Sequence, residues 1–132
     1  MRRQEGFTLV EIMVVVAIIG ALLSVALPRL TGQTEEARRQ AARLQVENLS
    51  MAIDAFSFDC ARFPSAQEGL AALRESPGDR GWKGPYLKRT VPSDPWHGAY
   101  VYAVPPARAT DYDVYSPGPD HQAGTEDDIG NW

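Results

Sequence analysis

The sequence predicts an α+β fold in which a long N-terminal helix packs on a small antiparallel β-sheet. Three observations predict this fold. Residues 7–27 are apolar apart from one carboxylate, residues 34–58 repeat apolar positions at helical spacing, and residues 99–132 contain short alternating runs between turns. Once the apolar segment is set aside, about a hundred of the residues are left, enough for one small soluble body.

The apolar segment at 7–27 follows a short basic leader at 1–6. Because about 20 apolar residues suffice to cross a bilayer, the first half of the helix is predicted to be transmembrane. Glu11 lies inside this segment, where an ionised carboxylate is costly unless a cation neutralises it. The segment contains no basic residue, so the cation must come from outside it or from another chain. A carboxylate that reaches the membrane surface is the alternative.

Beyond Pro28 the chain becomes charged and alanine-rich, and the pattern predicts a second, amphipathic half of the helix that ends near Phe58. Its apolar stripe is formed by Ala42, Val46, Leu49, Ile53 and Phe56. Pro28 and Gly32 are expected to interrupt the helix between its two halves, because proline removes an amide donor and glycine is a poor helix former.

Two kinds of element are predicted after the helix. Ser65 and Glu68 have the spacing of a capping box, which predicts a short helix that ends at Pro77-Gly78. Tyr100–Val104 and Asp111–Tyr115 are predicted strands of an antiparallel sheet. The many tyrosines and tryptophans of this region are interpreted as core residues of the sheet rather than as a ligand-binding surface.

The run Gly6-Phe7-Thr8-Leu9-Val10-Glu11 resembles the processing site of type IV pilins and type II secretion pseudopilins. The resemblance implies that a prepilin peptidase cuts between Gly6 and Phe7 and methylates the new terminal amine of Phe7. It also implies that Glu11 faces that amine on a neighbouring subunit, which would set the subunit register. A cleavable secretory signal is the alternative, but the apolar run is long for one and Glu11 interrupts it.

Further motifs resemble, in order along the chain, the major pseudopilin family of type II secretion, general secretion pathway protein G. They are Phe63-Pro64-Ser65, Glu68-Gly69-Leu70, Gly84-Pro85-Tyr86-Leu87, Asp94-Pro95-Trp96, Tyr112-Asp113 and Ile129-Gly130-Asn131-Trp132. The resemblance implies a type IV pilin-like fold with a leader, a transmembrane assembly helix and a periplasmic domain. The ranges are 1–6, 7–27 and 28–132, the last divided into a helix at 28–58, a short helix and loops at 59–98, and the sheet with an acidic loop at 99–132.

The same resemblance implies a structural subunit of the type II secretion pseudopilus, a filament that helps to drive folded proteins across the outer membrane. The expected partners are further copies of the chain, minor pseudopilins, prepilin peptidase, and the inner-membrane assembly platform with its ATPase. The expected location is the inner membrane of a Gram-negative bacterium, crossed once, with the globular domain in the periplasm. A type IV pilin of a surface fibre and a single-span, membrane-anchored binding module are the alternatives.

The acidic segment at 116–129 is a candidate metal site, because carboxylates and loop carbonyls are the hard oxygen ligands of calcium. From composition alone a solvated acidic loop is the alternative, whereas the resemblance implies calcium. The ligands that it implies are Asp120, Asp128, Glu126 or Asp127, and the carbonyls of Pro117 or Ile129. His121 raises zinc as a rival, although one histidine with carboxylates makes a poor zinc site.

Several classes of protein are disfavoured. The net charge of −4 argues against nucleic-acid binding. The sequence contains no nucleophile elbow, phosphate-binding loop or zinc-protease motif, so an enzyme is not expected. Cys60 is the one cysteine, so an intrachain disulfide cannot hold the C-terminus and something else must do so.

Overall fold

The structure is a computed structural model that describes the backbone of residues 7–132 and the side chains of residues 7–24 and 34–132. Gly6 and the rest of the predicted leader lie outside the described residues. The chain divides after Ala37 into two compact units, of which the second extends from Arg38 to Trp132.

Helix α1 spans Leu9–Cys60. The predicted interruption at Pro28 and Gly32 is wrong at the level of secondary structure, because the helix assignment is continuous across both positions. A proline removes a single amide donor, and the hydrogen bonds on either side of it preserve a helix of this length.

Within residues 7–24 and 34–132, no helix combines the length and the apolarity that a membrane crossing requires. The span predicted at 7–27 includes residues 25–27, which lie outside the side chains that the structure describes.

The apolar stripe predicted on the second half of α1 is confirmed. Its five members, Ala42, Val46, Leu49, Ile53 and Phe56, are at most 3% exposed. Four of them join a core cluster that includes Leu73, Tyr112 and Val114. Because a buried Phe or Leu side chain typically contributes about 1.5–3 kcal/mol, this stripe stabilises the packing of residues 42–56 within the second unit.

The sheet has three antiparallel strands in the order β1-β2-β3. Strand β1 spans Val101–Ala103, β2 spans Asp113–Ser116 and β3 spans Ile129–Gly130. Both predicted strands are confirmed in place: β1 lies within the predicted Tyr100–Val104, whereas β2 begins and ends later along the chain than the predicted Asp111–Tyr115. The third is absent from the sequence prediction, because two residues are too few to show an alternation.

Aromatic side chains pack inside the body, as predicted. The Phe63 and Tyr112 ring centroids are 5.2 Å apart, and the Phe56 and Tyr86 centroids are 5.8 Å apart. The Tyr112 hydroxyl donates a hydrogen bond of 3.0 Å to Asp54 on α1. Burial and the nearby Asp54 carboxylate help to raise the pKa of Tyr112 to about 12, so it stays neutral and keeps this proton at physiological pH.

The predicted capping box forms, but it closes a turn before a 3-10 helix, Gly69–Leu73, rather than opening an α-helix. The Ser65 amide donates to the Glu68 carboxylate at 2.8 Å, and the Glu68 amide donates to Ser65 Oγ at 3.3 Å. The helix ends at Leu73, before the predicted Pro77-Gly78 stop. Two hydrogen bonds from Arg62 and those from Ser65 lower the pKa of Glu68 to about 2.

Candidate functional site

The first candidate site is the N-terminal segment, whose apolar side chains are solvent-exposed in the single chain. Every large apolar side chain from Phe7 to Leu23 is at least 50% exposed. A contiguous apolar surface of this extent marks a surface that another molecule covers, whether protein or lipid. The segment can therefore serve as an assembly surface, a membrane anchor or both.

Glu11 lies in the first turn of α1. Thr8 precedes the helix, and its hydroxyl oxygen accepts a hydrogen bond of 3.3 Å from the Glu11 amide. The first turn of a helix carries a partial positive charge, which favours a carboxylate there. With Phe7, Ile12 and Val15, Glu11 lines an open apolar concavity. A cation brought by another chain can therefore reach its carboxylate.

The second candidate site is the acidic loop between β2 and β3. Gly118 lies where the two ends of this loop approach each other. Its φ is +75°, and a Cβ at this position would overlap the Asp127 carbonyl. The Gly118 amide also donates to Ser116 Oγ at 3.1 Å. The start and end of the loop therefore lie against each other, which brings Pro117 and Asp127 into one region.

The four predicted carboxylate ligands occupy different surroundings. Asp120 accepts a hydrogen bond of 2.9 Å from the Gln122 amide, Asp127 lies 3.4 Å from the Arg39 guanidinium, and Glu126 is exposed. No group of three or more acidic, histidine or cysteine side chains in the described part of the chain could by itself hold a metal. The predicted ligand set stays a prediction.

Asp128 is the one predicted ligand with a buried side chain, which is only 1% exposed. Its Oδ2 accepts a hydrogen bond of 2.8 Å from the Gly124 amide. Its Oδ1 is buried and has no hydrogen-bond partner among the described residues. Because an unpaired buried carboxylate oxygen is unfavourable, a cation there would be stabilising. The oxygen-rich loop fits the ligand preference of calcium.

Arg108 is a member of this site that the sequence analysis missed. Its Nη2 lies 3.5 Å from Asp128 Oδ2 and 3.4 Å from the Thr125 carbonyl oxygen. Its guanidinium carbon lies 4.7 Å from the centroid of the Trp132 ring. Arg108 belongs to an irregular connection between β1 and β2, where no periodicity or motif could have indicated its contacts.

The connection that carries Arg108 is held by Asp113, which is 2% exposed. Its carboxylate accepts hydrogen bonds from the backbone amides of Ala107, Arg108 and Ala109 at 2.6, 3.1 and 2.7 Å. Burial opposes the charged form of Asp113, but these hydrogen bonds outweigh it and lower its pKa. The backbone of Arg108 is therefore fixed close to the acidic loop.

Asp94, which is 3% exposed, holds the start of the acidic loop between β2 and β3. Its carboxylate accepts hydrogen bonds from the Trp96 amide at 3.0 Å, the Gly98 amide at 2.6 Å and the Ser116 hydroxyl at 2.5 Å. An aspartate followed by proline, with glycine four positions on, is a turn signal that could have identified this role.

Asn131 holds the C-terminus against β2. An intrachain disulfide cannot do this, because Cys60 is the one cysteine of the sequence. The Asn131 side-chain oxygen accepts from the Val114 amide and its side-chain nitrogen donates to the Tyr112 carbonyl, both at 3.0 Å. Its backbone amide donates to the Val114 carbonyl at 3.2 Å. These three hydrogen bonds continue the pairing of β2 and β3 beyond the end of β3.

Two family models match the chain. One, described as "Type II secretion system (T2SS), protein G", covers residues 29–132. The other, described as "Prokaryotic N-terminal methylation motif", covers residues 1–27. Together they account for the body and for the apolar segment with its leader.

Relatives and a solved structure agree with these matches. The type II secretion system core protein G of Pectobacterium carotovorum is 42% identical over 98% of this chain and 85% of its own length. That of Dickeya chrysanthemi is 42% identical over 99% and 88%. The crystal structure of the major pseudopilin of enterohaemorrhagic Escherichia coli is similar with a TM-score of 0.68 and 37% identity, covering 78% of this chain and 89% of that one.

Proposed function

The chain belongs to the protein G family of the type II secretion system, and from this membership we propose how its residues serve the filament. It is a structural subunit of the pseudopilus of type II secretion, which is a periplasmic filament anchored in the inner membrane. The family is one of structural secretion pseudopilins.

The subunits assemble through the apolar helix, and Glu11 sets their register. The observation that carries this proposal is the exposure of every large apolar side chain from Phe7 to Leu23 around one carboxylate. Once the leader is removed, the terminal amine of Phe7 becomes a cation on the same apolar surface. Opposite charges in a medium of low dielectric constant attract strongly, so the amine of one copy pairs with Glu11 of the next.

Processing at Gly6 is directly testable on assembled material. We expect the intact mass of filament subunits to correspond to a chain that starts at methylated Phe7, since the methylation motif covers residues 1–27. Peptide mass spectrometry of purified filaments measures this. A Gly6→Ala precursor is the control, which should retain its leader. Filaments built from subunits with an intact leader would contradict the proposal.

The proposed function also implies specific partners. Prepilin peptidase removes the leader, the inner-membrane platform and its ATPase add subunits, and minor pseudopilins join the same filament. The body lies in the periplasm, and the N-terminal segment crosses the inner membrane once. The methylation motif at 1–27 and the protein G match at 29–132 support this arrangement.

Calcium binds at the acidic loop and stabilises the body. Asp128 supplies a buried oxygen, and Asp120 with Glu126 or Asp127 and the carbonyls of Pro117 and Ile129 supply the rest. The support for this proposal is the unpaired Asp128 Oδ1 in a loop rich in oxygen ligands. An ion that binds only the folded state adds about 2.7 kcal/mol at a hundred times its Kd.

Calcium should therefore raise the melting temperature of the mature protein by at least about 5 °C relative to chelator. In Asp120→Ala the rise should be at most half as large, while the melting temperature in chelator stays close to that of the wild type, because Asp120 makes only a local hydrogen bond. Asp111→Ala, an exposed aspartate outside the loop, is the matched control. Equal rises in wild type and Asp120→Ala would remove Asp120 from the site.

A further inference from the structure

We propose that Arg108 competes with calcium for Asp128, so that the acidic loop of this chain contains its own exchangeable cation. The inference rests on the proposed calcium site and concerns its regulation. It assigns a role to a side chain outside the loop, on the connection between β1 and β2.

The first support is the position of the guanidinium. Its Nη2 lies 3.5 Å from Asp128 Oδ2, on a carboxylate that is 99% buried, since its side-chain exposure is 1%. A positive charge at this distance neutralises the carboxylate, which reduces the cost of burying it in the absence of metal. The same charge repels a second cation at the same group.

The second support is that Arg108 leaves one carboxylate oxygen without a partner. Asp128 Oδ1 is buried and accepts no hydrogen bond from the described residues, whereas Oδ2 faces Gly124 and Arg108. The guanidinium therefore neutralises the charge of Asp128 without satisfying all of its oxygen atoms. Calcium, which prefers oxygen ligands, can therefore bind at Oδ1, which accepts no hydrogen bond from the guanidinium.

The third support is that Asp128 is one of several contacts of the Arg108 side chain, which is also partly exposed and so has room to move. It packs over the Trp132 ring at 4.7 Å and reaches the Thr125 carbonyl at 3.4 Å, and 36% of its side chain is exposed. Its backbone is fixed by Asp113, so only the side chain needs to move. When calcium binds, the guanidinium can leave Asp128 while keeping its contact with Trp132.

The consequence is a body that stays ordered in the absence of calcium and binds the ion more weakly than it would without Arg108. A positive charge a few ångströms from a buried carboxylate attracts it strongly and weakens its interaction with any further cation. The same electrostatics apply to a metal ion. Removing the charge of Arg108 should therefore strengthen calcium binding by at least about tenfold.

The test is calorimetric titration of calcium into chelator-stripped, full-length mature protein in detergent micelles. Arg108→Gln should bind with a Kd at least about tenfold lower than the wild type, and Arg108→Lys should stay near the wild type because it keeps the charge. Arg80→Gln removes one positive charge at an exposed position and should leave the Kd unchanged. In chelator, Arg108→Gln should melt at a lower temperature, since it leaves Asp128 buried and unpaired.

A second measurement covers the case in which Arg108→Gln does not fold. In the wild-type protein, the Nε–H resonance of Arg108 should shift during the calcium titration and saturate at the calorimetric Kd. A wild type that binds calcium with a stationary Arg108 resonance, or an Arg108→Gln that binds no more tightly, overturns the competition and leaves the calcium proposal intact. Absence of calcium binding in both proteins overturns both proposals.

Discussion

Replacing Glu11 by alanine is expected to reduce the yield of filaments by at least about tenfold while leaving membrane insertion and leader removal intact. The reason is electrostatic. The variant leaves the terminal amine of Phe7 without its counter-charge inside an apolar assembly, where an unpaired charge is unfavourable. The helix itself should persist, because Thr8 caps the backbone amide of residue 11 rather than its side chain.

The measurement is the amount of sedimentable, cross-linkable filament relative to total mature subunit in membranes. Intact mass should show the same processed and methylated Phe7 start in both proteins, which separates failed assembly from failed processing. Glu36→Ala removes the same charge at an exposed position in the second half of α1 and should assemble normally. Glu11→Gln keeps the size and polarity of the side chain but not its charge, so it should fail like Glu11→Ala.

Two outcomes would contradict the proposal that a charge pair between Glu11 and the Phe7 amine sets the subunit register. Normal yield from Glu11→Ala would mean that apolar contacts alone align the subunits. Normal yield from Glu11→Gln with failure of Glu11→Ala would mean that a hydrogen bond, rather than a charge pair, is needed. Either result would leave the exposed apolar surface from Phe7 to Leu23 as the assembly surface and would remove the charge pairing from the proposal.

The features of the fold that sequence could predict are those with a long period or a strong local signal. The stripe from Ala42 to Phe56 repeats over several helical turns, so its burial could be predicted. The capping pair Ser65 and Glu68 was also correctly identified, but a local hydrogen-bond pattern does not determine whether an α-helix or a 3-10 helix follows. The predicted interruption of α1 at Pro28 and Gly32 is wrong, because one proline weakens a helix without necessarily ending it.

The residues of the candidate sites also differ in whether the sequence alone could identify them. Glu11 could be identified because a charge within an apolar run is conspicuous in sequence. Arg108 and Asp113 could not, because their roles depend on long-range contacts of the connection between β1 and β2 with itself and with the acidic loop. Asp94 lies between these cases: its turn signal is visible, but its hydrogen bond to Ser116 spans 22 positions.

The C-terminal region of this chain is held by hydrogen bonds and charge rather than by a covalent bond. Asn131 fastens the chain end to β2, Asp94 fastens the start of the acidic loop, and Arg108 neutralises Asp128 near its end. Each of these side chains contacts more than one group, so each substitution removes several interactions at once. Stability should therefore depend on a few polar residues more than their number suggests.

Asp94 provides the strongest test of this dependence. Replacing it by alanine is expected to lower the free energy of unfolding by about 3–5 kcal/mol, a large fraction of the total for a small domain. The alanine leaves the Trp96 amide, the Gly98 amide and the Ser116 hydroxyl without their common acceptor. Because Ser116 also accepts from the Gly118 amide, the loss should extend to the narrow part of the acidic loop.

Urea unfolding of the mature protein in chelator measures this effect without any contribution from calcium. The midpoint should fall while the slope stays constant, which indicates lower stability with the same surface exposed on unfolding. Asp94→Asn keeps an acceptor for the two amides and should lose only about 1 kcal/mol. The exposed Asp111→Ala should stay within about 0.5 kcal/mol of the wild type. If Asp94→Ala behaved like Asp111→Ala, the start of the loop would be held by something other than this carboxylate, and Asp94 would lose its role as the anchor.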